Sequence, residues 1–156
     1  MSQFMGSHTF SVSDKGRFNV PAPLRQGLAA SAENTFVIFP GPEGCLDVYP
    51  LDEWNRRIRV LRKIPNKRQG RYYKRLILSQ AVQCKMDAHN RILIPPDMLR
   101  SVGINKQILI VGQIDHLELW NPHAHTKYIK KQNIPLEDVL EEIEDQLNSN
   151  GSAFQE

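Results

Sequence analysis

Two arginines stand in matching stretches of this chain. Arg17 lies in SDKGRFNVP (13–21) and Arg91 in DAHNRILIP (87–95), 74 residues later; each is followed four positions on by a proline. A guanidinium can make two parallel hydrogen bonds to a phosphate, or to the O6/N7 edge of guanine in the major groove. Lys15 adds a cation two residues before Arg17, and Arg25 adds another on the segment that follows. Several cations on one face are what a duplex, with its closely spaced phosphates, requires of a binder. A charged turn seen once is more often a solvated turn and nothing else. Its recurrence asks for a second explanation.

The charge balance supplies one. The chain has 20 Lys and Arg against 17 Asp and Glu, a net charge of +3. Residues 136–156 carry seven of the acids and no base, so residues 1–135 hold 20 bases against 10 acids, a surplus of +10. A basic body with an acidic tail points to a polyanionic partner for the body.

Other chemistries find less support. Five histidines are present, His116, His123 and His125 among them, but an H-x-H without a carboxylate or cysteine at ligand spacing is a poor metal signal. Cys45 and Cys84 form neither a disulfide framework nor a metal motif; they read as reduced thiols, partly buried. There is no G-x-S-x-G, phosphate-cradling glycine loop or H-E-x-x-H. Gly6-Ser7 occurs as a lone pair, which is common, so a self-processing pyruvoyl enzyme is not expected. No enzyme activity, cofactor or metal is expected. The longest apolar runs, TFVIF (35–39) and QILIVG (107–112), are strand length, and the first ten residues lack a basic start with an apolar core. Neither a membrane span nor a secretory signal is expected, and a cytoplasmic location is.

The elements that must position the arginines also come in pairs. With Gly16-Arg17 aligned on Asn90-Arg91, Val12 meets Met86, Ser13 meets Asp87, Val20 meets Ile94 and Pro21 meets Pro95. Gly and Asn are the residues that most readily take positive φ, which a tight turn between strands needs. Each proline suits a strand end that leads into a helix. Short helical stretches follow (22–29 and 96–104), then apolar strands (35–39 and 107–111), turns, and alternating strands (45–50 and 116–122). The first strand of each copy is 6–13 and 78–87. Neither half can bury much alone, so the two are expected to pair into a shared core.

The expected organisation is a first unit over 1–53, a basic helical connector over 54–77, a second unit over 78–122, a C-terminal helical segment over 123–147 and a disordered tail over 148–156. Within the connector, residues 56–75 contain ten bases and no acid. Apolar residues at 54, 58, 61 and 64 give helix spacing with Asp52 placed to cap it, and Pro65 should end that helix before a second begins near Lys67. The segment 135–147 sets Leu136, Val139, Leu140, Ile143 and Leu147 on one face of an acidic helix suited to pack on basic ones. The basic connector could therefore serve assembly or contact DNA.

At these residues the chain resembles a known family. SDKGRFNVPAPLR and DAHNRILIPPDML, the latter followed by ILIVGQIDHLELWNP, look like the two halves of the MraZ family, bacterial transcriptional regulators built from two AbrB-like swapped-hairpin units. The resemblance covers 4–145 in order, and its motif is D-x-x-G-R with a proline four residues after the arginine, once per half. It implies an α+β, mostly β fold: two tandem AbrB-like units forming a pseudo-twofold, β-barrel-like core with flanking helices. It also implies ring-shaped homo-oligomers bound to repeated DNA boxes upstream of the protein's own division and cell wall operon, at the nucleoid. The motif carries over onto Lys15, Gly16 and Arg17 in the first half, and onto Asp87, Asn90 and Arg91 in the second. The chain departs from the pattern at Ser13, where the family has aspartate, and at Asn90, where it has glycine; Leu99 faces Arg25 across the repeat. Lys15, Gly16, Arg17, Arg25, Asn90 and Arg91 are the expected DNA-binding residues. The rival readings are a ring-forming scaffold without nucleic acid and a non-specific nucleic-acid binder. RNA is disfavoured because Tyr72-Tyr73 is the one adjacent aromatic pair available for stacking.

Overall fold

The computed structural model describes residues 1–150. The first half contributes β1 (Ser7–Ser11), β2 (Arg17–Asn19), α1 (Ala22–Gln26), β3 (Thr35–Pro40) and β4 (Leu46–Pro50). Two helices follow, α2 (Leu51–Arg62) and α3 (Arg68–Leu78). The second half repeats the pattern as β5 (Val82–Lys85), β6 (Arg91–Leu93), α4 (Pro96–Ser101), β7 (Gln107–Gly112) and β8 (Leu117–Trp120). The chain closes with α5 (Pro122–Gln132) and α6 (Leu136–Ser149). Two compact units result, Met1–His125 and the segment from Thr126 on. This is an α+β fold with a mostly antiparallel sheet.

The strands of the two halves are interleaved. Six form one sheet in the order β1-β7-β8-β4-β3-β5, and β2 pairs with β6 in a separate ribbon. Exchanging each strand for its counterpart in the other half reverses that order without changing it, so the topology is twofold. Its axis passes between β4 and β8 and between β2 and β6, where Asp47 faces Glu118 and Phe18 faces Ile92. The turn at Gly16 therefore does not close a ladder between β1 and β2. β1 leaves to pair with β7, and β2 with β6. Nor does the sheet close into the expected barrel: β1 and β5 stand at its two ends.

Burial explains why the strands read as they do. On one face of the sheet, Phe36, Ile38, Leu46, Val48, Ile108, Ile110, Leu117 and Leu119 join Phe18, Val20, Ile92 and Ile94 beneath the ribbon. Leu24 of α1 and Leu99 of α4 complete that core. On the other face, Val37, Phe39 and Tyr49 pack with Trp54 of α2 and Ile77 of α3. β3 and β4 are thus buried on both sides, which is why TFVIF is continuously apolar.

Two local readings are corrected. Pro50 occupies the N-cap of α2, so Asp52 sits inside the first turn. Its carboxylate instead accepts from the Ser2 backbone N–H and hydroxyl, both at 2.9 Å, and ties the N-terminus to the helix start. The expected disordered tail begins too early: α6 runs through Asn148 and Ser149, and the Ser149 hydroxyl donates back to the Gln146 carbonyl at 3.0 Å. Residues 151–156 of that expected tail lie outside the described residues.

Candidate nucleic-acid interface

Each turn is built by one residue at its base. In the first, the Gly16 N–H donates to the Ser13 carbonyl and the Ser13 N–H to the Arg17 carbonyl, each at 2.9 Å. The Ser13 hydroxyl accepts the Arg17 N–H at 3.1 Å. In the second, the Asn90 N–H donates to the Asp87 carbonyl at 3.0 Å and the Asp87 N–H to the Arg91 carbonyl at 2.9 Å. The Asp87 carboxylate accepts the His89 N–H at 2.8 Å and the Arg91 N–H at 3.0 Å. Serine thus replaces the family's aspartate without loss of the turn, because either side chain offers the oxygen that caps it.

Gly16 and Asn90 both take positive φ, 84° and 61°. Only Gly16 is also sterically confined: a Cβ there would lie 2.0 Å from the Ile94 carbonyl oxygen. Each turn is tied to the opposite half, since the Ile94 N–H donates to the Gly16 carbonyl and the Val20 N–H to the Asn90 carbonyl, each at 2.9 Å. The ribbon holds the two arginines in fixed register. Arg17 faces Leu93, and Arg91 faces Asn19. Because side chains alternate along a strand, Phe18 and Ile92 go to the core while Arg17, Asn19, Arg91 and Leu93 share the outer face. Lys15, Arg17, Asn19 and Arg91 line one shallow depression there, together with Ser13 and Asp14. Asp14 makes no ion pair with either arginine among the described residues.

The side chains at the two tips differ. The Arg91 Nε donates to the second oxygen of Asp87 at 3.0 Å. Backbone N–H bonds from Arg91 and His89, then the Arg91 side chain, hold the Asp87 carboxyl below the usual aspartate range. Arg17 is exposed, and among the described residues its guanidinium has no hydrogen-bond or ion-pair partner. Lys15 is exposed beside it. Arg25 is not brought into the depression; its Nε donates to the Val20 carbonyl at 3.1 Å, which pins the end of α1 to the strand before it. Its counterpart Leu99 is 4% exposed and belongs to the core. Asn19, which sequence reasoning did not single out, joins the depression; its position two residues after Arg17 in a strand places it on the same face.

The connector supplies a second basic surface. Of the ten bases in 56–75, all but Arg57 and Lys74 are exposed. Arg57 joins the two helices by donating to the Tyr73 hydroxyl at 2.6 Å. Beneath this surface lies a polar cluster on the sheet that the sequence did not signal as a group: Cys45, Asp47, His116 and Glu118. Burial holds Asp47 up at about 6 against the pull of His116, and burial with the neighbouring carboxylates pushes the Cys45 thiol up.

Comparison with known proteins agrees in extent with the repeat. The family model described as "MraZ protein, putative antitoxin-like" matches residues 3–70 and again 77–147. The chain is 35% identical to the transcriptional regulator MraZ of Pelotomaculum thermopropionicum over 143 residues, 91% of this chain and 96% of that protein. It is 34% identical over 143 residues to the transcriptional regulator MraZ of Heliobacterium modesticaldum, covering 91% of this chain and 97% of that one. Against the protein of the same name from Thioalkalivibrio sulfidiphilus it is 36% identical over 125 residues, 80% and 83% of the two chains. With both halves matched and the relatives covered nearly end to end, the chain belongs to the MraZ family.

Proposed function

We propose that this protein is a sequence-specific DNA-binding transcriptional regulator, acting on repeated boxes upstream of its own division and cell wall operon. It works in the cytoplasm, at the nucleoid, as a ring-shaped homo-oligomer that sets several ribbons on successive boxes, so that avidity raises the affinity of each small contact. The exchange of strands between halves is read as the swapped-hairpin, AbrB-like arrangement. The observation that carries the proposal is the Arg17 guanidinium, unpartnered among the described residues, beside Lys15 on a ribbon face shared with Arg91 and Asn19. A two-stranded ribbon fits the major groove, where arginine reads guanine and asparagine reads adenine. Gly16 and Asn90 shape the backbone, and Arg25 steadies the first tip from behind. The exposed bases of α2 and α3 are assigned to subunit assembly. The relatives' name describes a regulator, which is not an enzyme class.

The test is binding of the protein to a duplex from upstream of its own gene, against a scrambled duplex, across a salt series. The expected result is preference for the first, with a log–log salt slope of roughly −0.9 for each phosphate contact. Equal binding to both reduces the role to non-specific contact. No binding to either leaves a scaffold.

A further inference from the structure

We propose that Cys45, Asp47 and Glu118 form a binding site for a divalent transition metal of the zinc class on the twofold axis of the sheet, with His116 Nε2 at its edge. The register brings the first three together and sets His116 beside Asp47, on the side away from Cys45. Asp47 of β4 and Glu118 of β8 face each other directly, Cys45 lies two residues before Asp47, and His116 two residues before Glu118. Strand alternation puts all four on the sheet face opposite the main core.

The spacing suits a small metal ion. The Cys45 Sγ lies 3.7 Å from Glu118 Oε2 and 3.9 Å from Asp47 Oδ1, and one donor atom from each of the three residues falls within 4.8 Å of the others. Tetrahedral zinc, with a sulfur ligand at about 2.3 Å and oxygens at about 2.1 Å, sets sulfur and oxygen about 3.6 Å apart. A contraction of a few tenths of an ångström would bring both sulfur–oxygen distances to that value. Gly41 keeps the pocket open, since a Cβ there would stand 2.5 Å from Asp47 Oδ1 and 3.0 Å from the thiol.

The Asp47 carboxylate stands at the centre of the cluster. The residue is 7% exposed, yet among the described residues its carboxylate accepts no N–H or O–H hydrogen bond. Its neighbours are the weakly donating thiol, the Glu118 carboxylate, the Arg57 guanidinium that lines the same cavity, and His116 Nε2 at 3.8 Å, too far for a hydrogen bond. The other imidazole nitrogen, Nδ1, is 2.7 Å from Asp115 Oδ1. The imidazole thus stands between two carboxylates, Asp115 at Nδ1 and Asp47 on the side of Nε2. A carboxylate that orients a histidine in this way is the usual support behind a metal-bound imidazole. Tyr49 fixes the ring further by stacking on it at 4.6 Å. A surface cavity lined by Asp47, His116, Glu118 and Gln113 gives an entry path. Since its ligands come from both halves, the metal would pin the halves together at their axis.

The test uses the full chain, stripped with a chelator and titrated with Co²⁺ and then Zn²⁺. The expected result is one metal per chain, a thiolate-to-cobalt charge-transfer band and a rise in Tm with Zn²⁺. Cys45→Ser should abolish the band, and Asp47→Asn and Glu118→Gln should each weaken Zn²⁺ binding at least about tenfold. Cys84→Ser should change none of these. Should Cys45→Ser fail to fold, the two carboxylate variants still decide the matter. Absence of the band in the wild type, or unchanged Zn²⁺ affinity in both carboxylate variants, would overturn the site.

Discussion

The two tips of the ribbon have the same backbone and different chemistry. Both turns close on an oxygen at their first residue, both hold a positive φ before the arginine, and both are tied to the strand of the other half. Yet Asp87 holds the guanidinium of Arg91, whereas Ser13 caps its turn and leaves that of Arg17 unpaired among the described residues. The first tip is left with a free cation and Lys15 beside it. The second is nearly neutral at its base. An acid that makes a turn robust also occupies the arginine that the turn displays, and a hydroxyl separates those two roles.

The largest expected effect tests the backbone side of this comparison. Gly16→Ala should cost about 3 kcal/mol of stability, because it combines left-handed strain with a collision against the Ile94 carbonyl. Asn90→Gly should change stability by less than about 1 kcal/mol. Thermal denaturation of both variants reads the difference; equal losses would break the claim that only the first turn is sterically confined. Next comes binding. Arg17→Ala should remove about 1–3 kcal/mol of affinity for the upstream duplex. Arg91→Ala should remove no more than about 1 kcal/mol, because Arg91 has to leave Asp87 to reach DNA. A larger loss at Arg91 would reverse the assignment of the tips.

Exchanging the capping residues sharpens the point. Ser13→Asp should capture Arg17 and weaken binding several-fold, roughly 1 kcal/mol, while Asp87→Ser should release Arg91 and strengthen it by less. Anisotropy titrations at one salt concentration suffice to see both signs. The smallest effect is in pH. The Asp87 carboxyl titrates lower in the folded chain than in the unfolded one, where it is about 3.9. Its stabilisation is therefore whole above that value and is lost as pH falls through the depressed one. Amide shifts of Arg91 and His89 should move on acidification, while that of Arg17, capped by a hydroxyl, should not follow a carboxylate titration.

Much of this arrangement was legible in the sequence because it is local. The positive φ at Gly16 and Asn90, the prolines before α1 and α4, and the basic helices each follow from residues within one or two turns. Strand alternation did not reveal which strands pair, because the alternation in β1 serves β2 and β7 equally well as partners; only the resemblance to swapped-hairpin units pointed to an exchange. The Asp52 cap failed for a related reason: Pro50 already closes the helix start, and the carboxylate finds Ser2 fifty residues away. The Cys45, Asp47, His116 and Glu118 cluster depends on the register between β4 and β8, and no spacing along the chain reveals it. At the ribbon, sequence reasoning singled out the arginines but not Asn19, which the register sets directly across from Arg91.

The interleaved sheet also bears on how the chain is made. Ser7 at the start of β1 pairs with Val111, so the strand synthesised first is among the last to find its place. At ribosomal rates of about 5–20 residues per second, β1 waits roughly 5–20 s for its partner to be made. During that interval β3 likewise lacks β5, and the nascent first half carries unpaired edges with part of its core uncovered. Folding is therefore a late event that the second half completes, and a fragment ending at α3 should be captured by chaperones or aggregate rather than persist as half a regulator.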